Sequence, residues 1–369
     1  MSESRANLVA QGSSGISGTW ASRAEQAQAD FRRLFWNEER GVMDQAVPCD
    51  GACNEHWIYW WHAHVIDVLV DELERDGNSE RDAFLERVLR NTIRWNGGTL
   101  LHNYYDDMEW MALALLRAYE STGQAVYKQG ALQLWDDIKT AWNDHMGGGM
   151  AWKKDQLDYK NTPANAPASI LASRLYQLDG RAEDLEWALR IYRFNQERLV
   201  CPNTGFVWDG MNRLGDGKID YDWKYTYCQG LFLGAGIELY RCTGEAGYLA
   251  DAQRTAHAAV AELVDPQTGM LPREGNDDCG LFKGILVRYL VNLIRIQPAL
   301  AEPWVRLLRH NAQTLWQRGR SESGLFSLSW MEEPEPIVQL SGQLSGIMLL
   351  EAMAALEREG FAEEDSTIE

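Results

Sequence analysis

Asp106 and Asp107 stand side by side in the run Tyr104-Tyr105-Asp106-Asp107-Met108-Glu109-Trp110, at the head of a strongly apolar stretch. Cleaving a glycosidic bond needs one carboxylate that stays ionised and one carboxylic acid that keeps its proton. The two must lie a few ångströms apart, beside an aromatic wall that stacks on the sugar. This short run holds all three parts. An N-capping aspartate followed by an N1 aspartate, both favoured by the helix dipole, accounts for the same residues with no chemistry at all. What decides between the two readings is what else reaches that end of the helix.

Helical periodicity runs through the chain, and alternating strand-type runs are almost absent. The pattern predicts about twelve helices, near 20–37, 55–75, 79–94, 105–121, 124–144, 160–178, 181–199, 222–242, 246–264, 277–297, 302–318 and 338–358. Short links such as Asp76-Gly77-Asn78, Thr122-Gly123, Asp179-Gly180 and Thr243-Gly244 alternate with long Gly- and Pro-bearing stretches over 146–159, 200–221, 265–276 and 318–337. Helices polar on one face, such as 182–198 and 248–262, suit an outer ring, and the apolar, Gly-rich ones an enclosed inner ring. Six such hairpins closing on themselves predict an all-α, (α/α)6 toroid. Every inner helix then begins at one end of the barrel. That end gathers Asp106-Asp107, Lys160-Asn161, Asp222, Asp277-Asp278 and Gln339 around one opening. Capping predicts polar helix starts, but only a saccharide cleft predicts aromatics and carboxylates clustered together. The helix dipole favours charge on one of the paired acids, while like-charge repulsion and an apolar wall raise the pKa of the other. A carboxyl separation of about 5–5.5 Å would mean retention of configuration, and about 6.5–9.5 Å inversion.

A chain of 369 residues with a formal net charge of −19 has no basic stripe, which argues against nucleic acid or an anionic membrane as partner. No apolar run approaches the length of a membrane span. Sixteen Trp, fourteen Tyr and nine Phe can fill a core and still leave flat rings for sugars. Residues 1–18 read as a flexible Ser/Gly lead with no signal-peptide pattern, 19–360 as one catalytic domain and 361–369 as an acidic tail. The six cysteines form no CxxC pair and are expected as reduced thiols of a cytoplasmic protein, with Cys49 and Cys53 alone close enough in sequence to pair. In His56-Trp57-Ile58-Tyr59-Trp60-Trp61-His62-Ala63-His64, His62 and His64 lie two apart and so share no helix face, which leaves no zinc pattern. Trp61 and His64 are instead candidates for lining the cleft. Gly147-Gly148-Gly149 lacks the Lys-Ser/Thr of a phosphate loop.

Several motifs in order carry a resemblance. They are Tyr105-Asp106-Asp107 with Trp110, Gly147-Gly148-Gly149-Met150-Ala151-Trp152, Tyr159-Lys160-Asn161 and Val207-Trp208-Asp209-Gly210. Then come Tyr225-Thr226-Tyr227-Cys228-Gln229-Gly230, Glu238-Leu239-Tyr240 and the run from Phe282-Lys283-Gly284 to Tyr289-Leu290. Across 57–290 the chain resembles glycoside hydrolase family 76, the α-1,6-mannanases of (α/α)6 fold. The resemblance implies Asp106 as nucleophile, Asp107 as general acid/base and Asp209 as a further essential aspartate holding sugar hydroxyls. It implies a retaining mechanism on α-mannan or manno-oligosaccharides, without metal or organic cofactor. Tyr105, Trp110, Asn161, Tyr227, Gln229, Asp277, Asp278 and Lys283 complete the expected substrate-binding set. Met111 and Cys228 stand where the family commonly has Trp and Asn, which bears on the sugar and linkage accepted. Two alternatives stay open: another enzyme on the same toroid, such as an unsaturated-uronyl hydrolase or a sugar epimerase, and a non-catalytic carbohydrate-binding protein. Oligomeric state is not legible in the sequence.

Overall fold

In the computed structural model, which describes residues 18–362, twelve α-helices form wherever apolar residues recur at three- and four-residue spacing. They are α1 (Trp20–Phe35), α2 (Tyr59–Asp76), α3 (Ser79–Trp95), α4 (Tyr105–Thr122), α5 (Ala125–Ile138) and α6 (Thr162–Asp179). The second half of the chain gives α7 (Ala182–Leu199), α8 (Thr226–Thr243), α9 (Ala246–Leu263), α10 (Cys279–Ile296), α11 (Glu302–Gln317) and α12 (Leu340–Arg358). The even-numbered helices form the inner ring: α2 packs on α4, α4 on α6, and so round to α12, which closes on α2. Each odd-numbered helix lies outside a neighbour in that ring. The all-α toroid expected from the sequence is the observed architecture.

Burial separates the two rings. In α11 the buried residues Trp304, Val305, Leu308, Asn311, Ala312 and Leu315 trace one stripe, whereas α8 is buried continuously from Thr226 to Leu239. Inner helices α4, α6 and α8 end on Gly123, Gly180 and Gly244, which take left-handed φ of 70°, 68° and 73°. There a glycine caps the helix without the Cβ penalty and turns the chain at once into its outer partner. All six inner helices therefore start at the same end, where the long connections collect.

Those connections are more ordered than the sequence pattern indicated. Strands Ala151–Lys153, Gln156–Asn161 and Gly210–Met211 form a three-stranded antiparallel sheet over the opening, and Tyr104 bridges to Lys153 beside it. Ala46–Val47 pairs with Val338–Gln339, tying the entry of α2 to that of α12. Hydrophobic alternation cannot reveal strands of two or three residues. The expectation of six reduced cysteines is corrected: Cys49 and Cys53 are joined in a disulfide, while Cys201, Cys228, Cys242 and Cys279 are free. The flexible lead expected over 1–18 and the tail over 361–369 fall outside the described residues except for Gly18, Phe361 and Ala362. Ala362 is buried in the core and its backbone N–H donates to the Leu356 carbonyl. No helix among the described residues is long and apolar enough to cross a membrane.

Candidate active site

Tyr104, not an aspartate, occupies the N-cap of α4, so Asp106 and Asp107 fall within the first turn with their side chains free for other partners. Asp106 is 9 % exposed, and one carboxyl oxygen accepts the Trp152 indole N–H at 3.0 Å while the other accepts the backbone N–H of Asp107 at 3.0 Å. Asp107 lies 3.1 Å from Nδ1 of His102. The sheet supplies Trp152, and the segment leading into α4 supplies His102. Capping does not account for the pair.

Electrostatics at the pair are strained. Burial, then the charge of Asp107 and that of Asp278, lift the Asp106 carboxyl well above its ordinary range against the two N–H groups it accepts. Asp107 is raised as well, by burial and by Asp278, but His102 pulls it back toward the charged form. One turn further on, Glu109 is fully buried, and burial and then Asp106 push it well above the usual carboxylate range against the Ala168 backbone, which resists the rise. Both carboxyls of the pair are thus raised, Asp106 the further, and His102 opposes the rise at Asp107 alone.

Aromatic side chains surround the acids. Tyr104 meets Trp152 edge-on at 5.1 Å, and Trp152 meets Tyr159 at 5.6 Å. Tyr159 donates its hydroxyl to Asp209 at 3.0 Å, Tyr227 donates to the same carboxylate at 2.7 Å, and Arg213 closes on it at 2.7 Å. Asp209 is thus held rigidly beside the sheet, 3 % exposed. The next residue must be glycine, because a Cβ on Gly210 would fall 2.4 Å from the Tyr159 hydroxyl. Tyr227 stacks on Phe282 at 3.8 Å, nearly parallel. Asp278 accepts the indole N–H groups of Trp60 and Trp61 at 2.8 and 3.0 Å. Burial raises its carboxyl although those two bonds resist the rise. Two adjacent acids in different surroundings, flat rings and a fixed carboxylate together suit a neutral, polyhydroxylated substrate.

Several residues expected at the cleft are placed elsewhere. Trp61 is 1 % exposed and reaches the site only through Asp278. His64 and Trp110 form a buried layer under the pair and face the barrel interior. Tyr105 turns outward to Thr140, at 3.1 Å, while its neighbour Tyr104 takes the cleft side. Asn161 caps α6, accepting from the Ala164 N–H. Gln229 holds both backbone groups of Val207. Lys283 binds the Leu328 carbonyl and lies 4.1 Å over the Trp330 ring. Asp277, in a left-handed conformation, exchanges hydrogen bonds with Gln339 at the rim. Of the expected set, Asp209, Tyr227 and Asp278 share the opening with the paired acids. His102, Tyr104 and Trp152 were missed as site residues. A histidine four and five residues ahead of two carboxylates was the one local signal for His102.

The family model for glycosyl hydrolase family 76 matches residues 19–365. The chain is similar to the α-1,6-mannanase of Salegentibacter sp. HEL1_6, at 40 % identity over 92 % of this chain and all of that one, with a TM-score of 0.86. A related structure is an inactive variant of that mannanase, with two consecutive aspartates replaced, in complex with α-1,6-mannotetrose. The Lin0763 protein of Listeria innocua matches at 38 % identity, covering 93 % of this chain and 99 % of that one, with a TM-score of 0.88. Among curated proteins, the mannan endo-1,6-alpha-mannosidase DCW1 of Eremothecium gossypii is 25 % identical over 306 residues, 76 % of this chain. The chain spans only 62 % of that relative's length.

Proposed function

This chain belongs to glycosyl hydrolase family 76, and from that membership we propose that it hydrolyses α-mannosidic bonds, α-1,6-linked, in mannan or manno-oligosaccharides. The observation that carries the reading is the coupled pair Asp106 and Asp107, buried against Trp152 and His102 at an opening lined with aromatics. The inactive, mannotetrose-bound relative, altered at two consecutive aspartates, supports giving the chemistry to this pair.

The proposed course retains configuration. Asp106 attacks the anomeric carbon as the glycosidic C–O bond breaks, and Asp107 gives its proton to the departing oxygen. Asp107 then takes a proton from water, whose oxygen displaces Asp106 and releases the sugar. Asp209, fixed by Tyr159, Tyr227 and Arg213, accepts from sugar hydroxyls, and Trp152 and Tyr104 stack on the ring. These roles need Asp106 ionised and Asp107 protonated when glycan fills the site, against the stronger rise at Asp106.

The resting electrostatics favour a second reading with the two roles exchanged, since burial lifts Asp106 further and His102 favours the charge on Asp107. One experiment separates them. Asp106→Ala and Asp107→Ala are each given an activated aryl α-mannoside with azide. Under the proposed roles Asp107→Ala yields α-mannosyl azide, through the glycosyl-enzyme, and Asp106→Ala yields the β-anomer. The opposite pattern reverses the roles, and wild-type inactivity on α-1,6-mannan removes the substrate assignment. We also propose an oxidising compartment in place of the cytoplasm expected from the sequence, because the Cys49–Cys53 disulfide is the kind of bond reducing compartments remove.

A further inference from the structure

Trp223 is 40 % exposed, although tryptophan is highly buried on average. It lies in the loop that follows strand Gly210–Met211, and that loop is fastened to the sheet over the opening. The Trp223 N–H donates to the Asp220 carbonyl at 3.1 Å, the Asp220 N–H donates to the Gly210 carbonyl at 2.9 Å, and Ile219 bridges to Met211. The indole is therefore held in place before any ligand arrives.

One face of the indole is already taken. The Arg213 guanidinium lies 3.6 Å from the ring centroid, and it is itself held by Asp209 at 2.7 Å, by Asp220 at 3.1 Å and by the Tyr159 hydroxyl. Trp223 is thus one side chain removed from Asp209, the carboxylate fixed at the site. A second route leads to the same place through rings. Trp223 meets Tyr225 edge-on at 6.0 Å, Tyr225 meets Tyr227 at 6.0 Å, and Tyr227 donates to Asp209 at 2.7 Å. A ring pinned on one face and still 40 % exposed offers its other face to solvent, beside the opening.

The order of side chains along the cleft says which part of a glycan reaches this ring. Trp152 donates to Asp106 and meets Tyr159, Tyr159 donates to Asp209, and Arg213 joins Asp209 to Trp223. Trp152 and Tyr104 serve the sugars at the reacting bond, so an indole beyond Asp209 serves a unit further along the chain. The chemistry suits a sugar. Arg213, the cation against the ring, is committed to two carboxylates, and a net charge of −19 disfavours an anionic ligand. A pyranose lays the C–H groups of one face on a flat ring and keeps its hydroxyls in water, and a platform ordered in advance costs little entropy on binding. We infer that Trp223 is a stacking platform for a mannose unit beyond the two that flank the cleaved bond, which makes the cleft select longer chains. The inference rests on the hydrolase reading and extends it to chain length.

The test has two arms on the full chain. In the first, kcat/KM is measured on α-1,6-linked manno-oligosaccharides of increasing length for wild type, Trp223→Ala and Trp223→Phe. In the second, crystals of the Asp106→Asn/Asp107→Asn protein are soaked in α-1,6-mannotetrose. Trp223→Ala should lose at least ten-fold more kcat/KM on the longest chain than on the shortest one cleaved, with the difference in KM, and Trp223→Phe should recover most of it. The soak should show a sugar ring parallel to the indole. An equal loss at every length would reduce Trp223 to a support for Arg213 and Asp209 and overturns the inference, as do unchanged kinetics, a tetrasaccharide bound clear of the indole, or none bound. A wild type that cleaves none of these chains removes the hydrolase reading, and the soak then decides the inference alone. It also decides should Trp223→Ala fail to fold.

Discussion

At Asp106 two demands conflict, because the burial that makes the carboxyl useful also makes its charge unfavourable. Folding lifts this carboxyl above its unfolded value near 3.9. Its contribution to stability is therefore complete below that pH and is lost as pH rises through the folded value. Asp106→Asn should abolish turnover by about 10³-fold or more and yet melt no lower than wild type at pH 7, with the difference in melting temperature closing toward pH 4. A variant that melts well below wild type at neutral pH would show the acid to be a structural anchor. His102 acts in the other direction. His102→Ala removes the group that holds Asp107 down, so kcat should fall about ten-fold and the alkaline limb of the kcat/KM profile should move to higher pH. An unmoved limb would detach His102 from the acid. The residue types were legible in the sequence, but their directions were not. Tyr104 and Tyr105 are adjacent and alike, and only the helix start decides that one faces the cleft and the other Thr140. Asp136-Asp137 repeats the same dipeptide on outer helix α5, where Asp137 ends in an ion pair with Lys154 at 2.7 Å.

What the elements add is the convergence of helix starts and loops that no single motif contains. Spacing and glycine positions predicted twelve helices whose ends differ from the observed ones by a few residues, because an apolar face at period 3.6 leaves a strong local signal. The sheet over the opening left none. Its strands are two to six residues long and pair residues as distant as Lys160 and Met211, so the positions of Trp152 and Asp209 depend on contacts the local pattern does not encode. Gly210 is where that sheet is tightest. In Gly210→Ala the new methyl must displace the Tyr159 hydroxyl and, with it, the hold on Asp209. The expected result is a loss of stability of about 1–3 kcal/mol in urea unfolding, together with at least a ten-fold fall in kcat/KM on α-1,6-mannan. Unchanged kinetics would show that Asp209 keeps its place without Tyr159.

Over the whole molecule, the ring must stay closed around an interior that contains charge. Near its far end Arg117 of α4 reaches Asp67, Asp71 and Glu74 of α2, and Arg288 of α10 reaches Asp67 and Asp71, so one cluster ties three inner helices across the barrel. Burial opposes the charge on Asp67, but Arg288 and then Arg117 outweigh it and hold the carboxyl at about 2. A pKa depressed on folding adds stability above the unfolded value near 3.9 and loses it as pH falls toward 2. Acid unfolding of the wild type should therefore draw on this cluster between about pH 4 and 2. Arg117→Met keeps the length of the side chain and removes its charge, leaving the buried Asp67 and the half-buried Asp71 with Arg288 alone. Breaking a buried pair in this way costs about 3–5 kcal/mol. The variant should show that loss in its urea midpoint at pH 7 and an acid transition moved toward neutral pH. A wild-type midpoint and an unmoved acid transition would mean that apolar packing between neighbouring inner helices closes the ring without help from the charges.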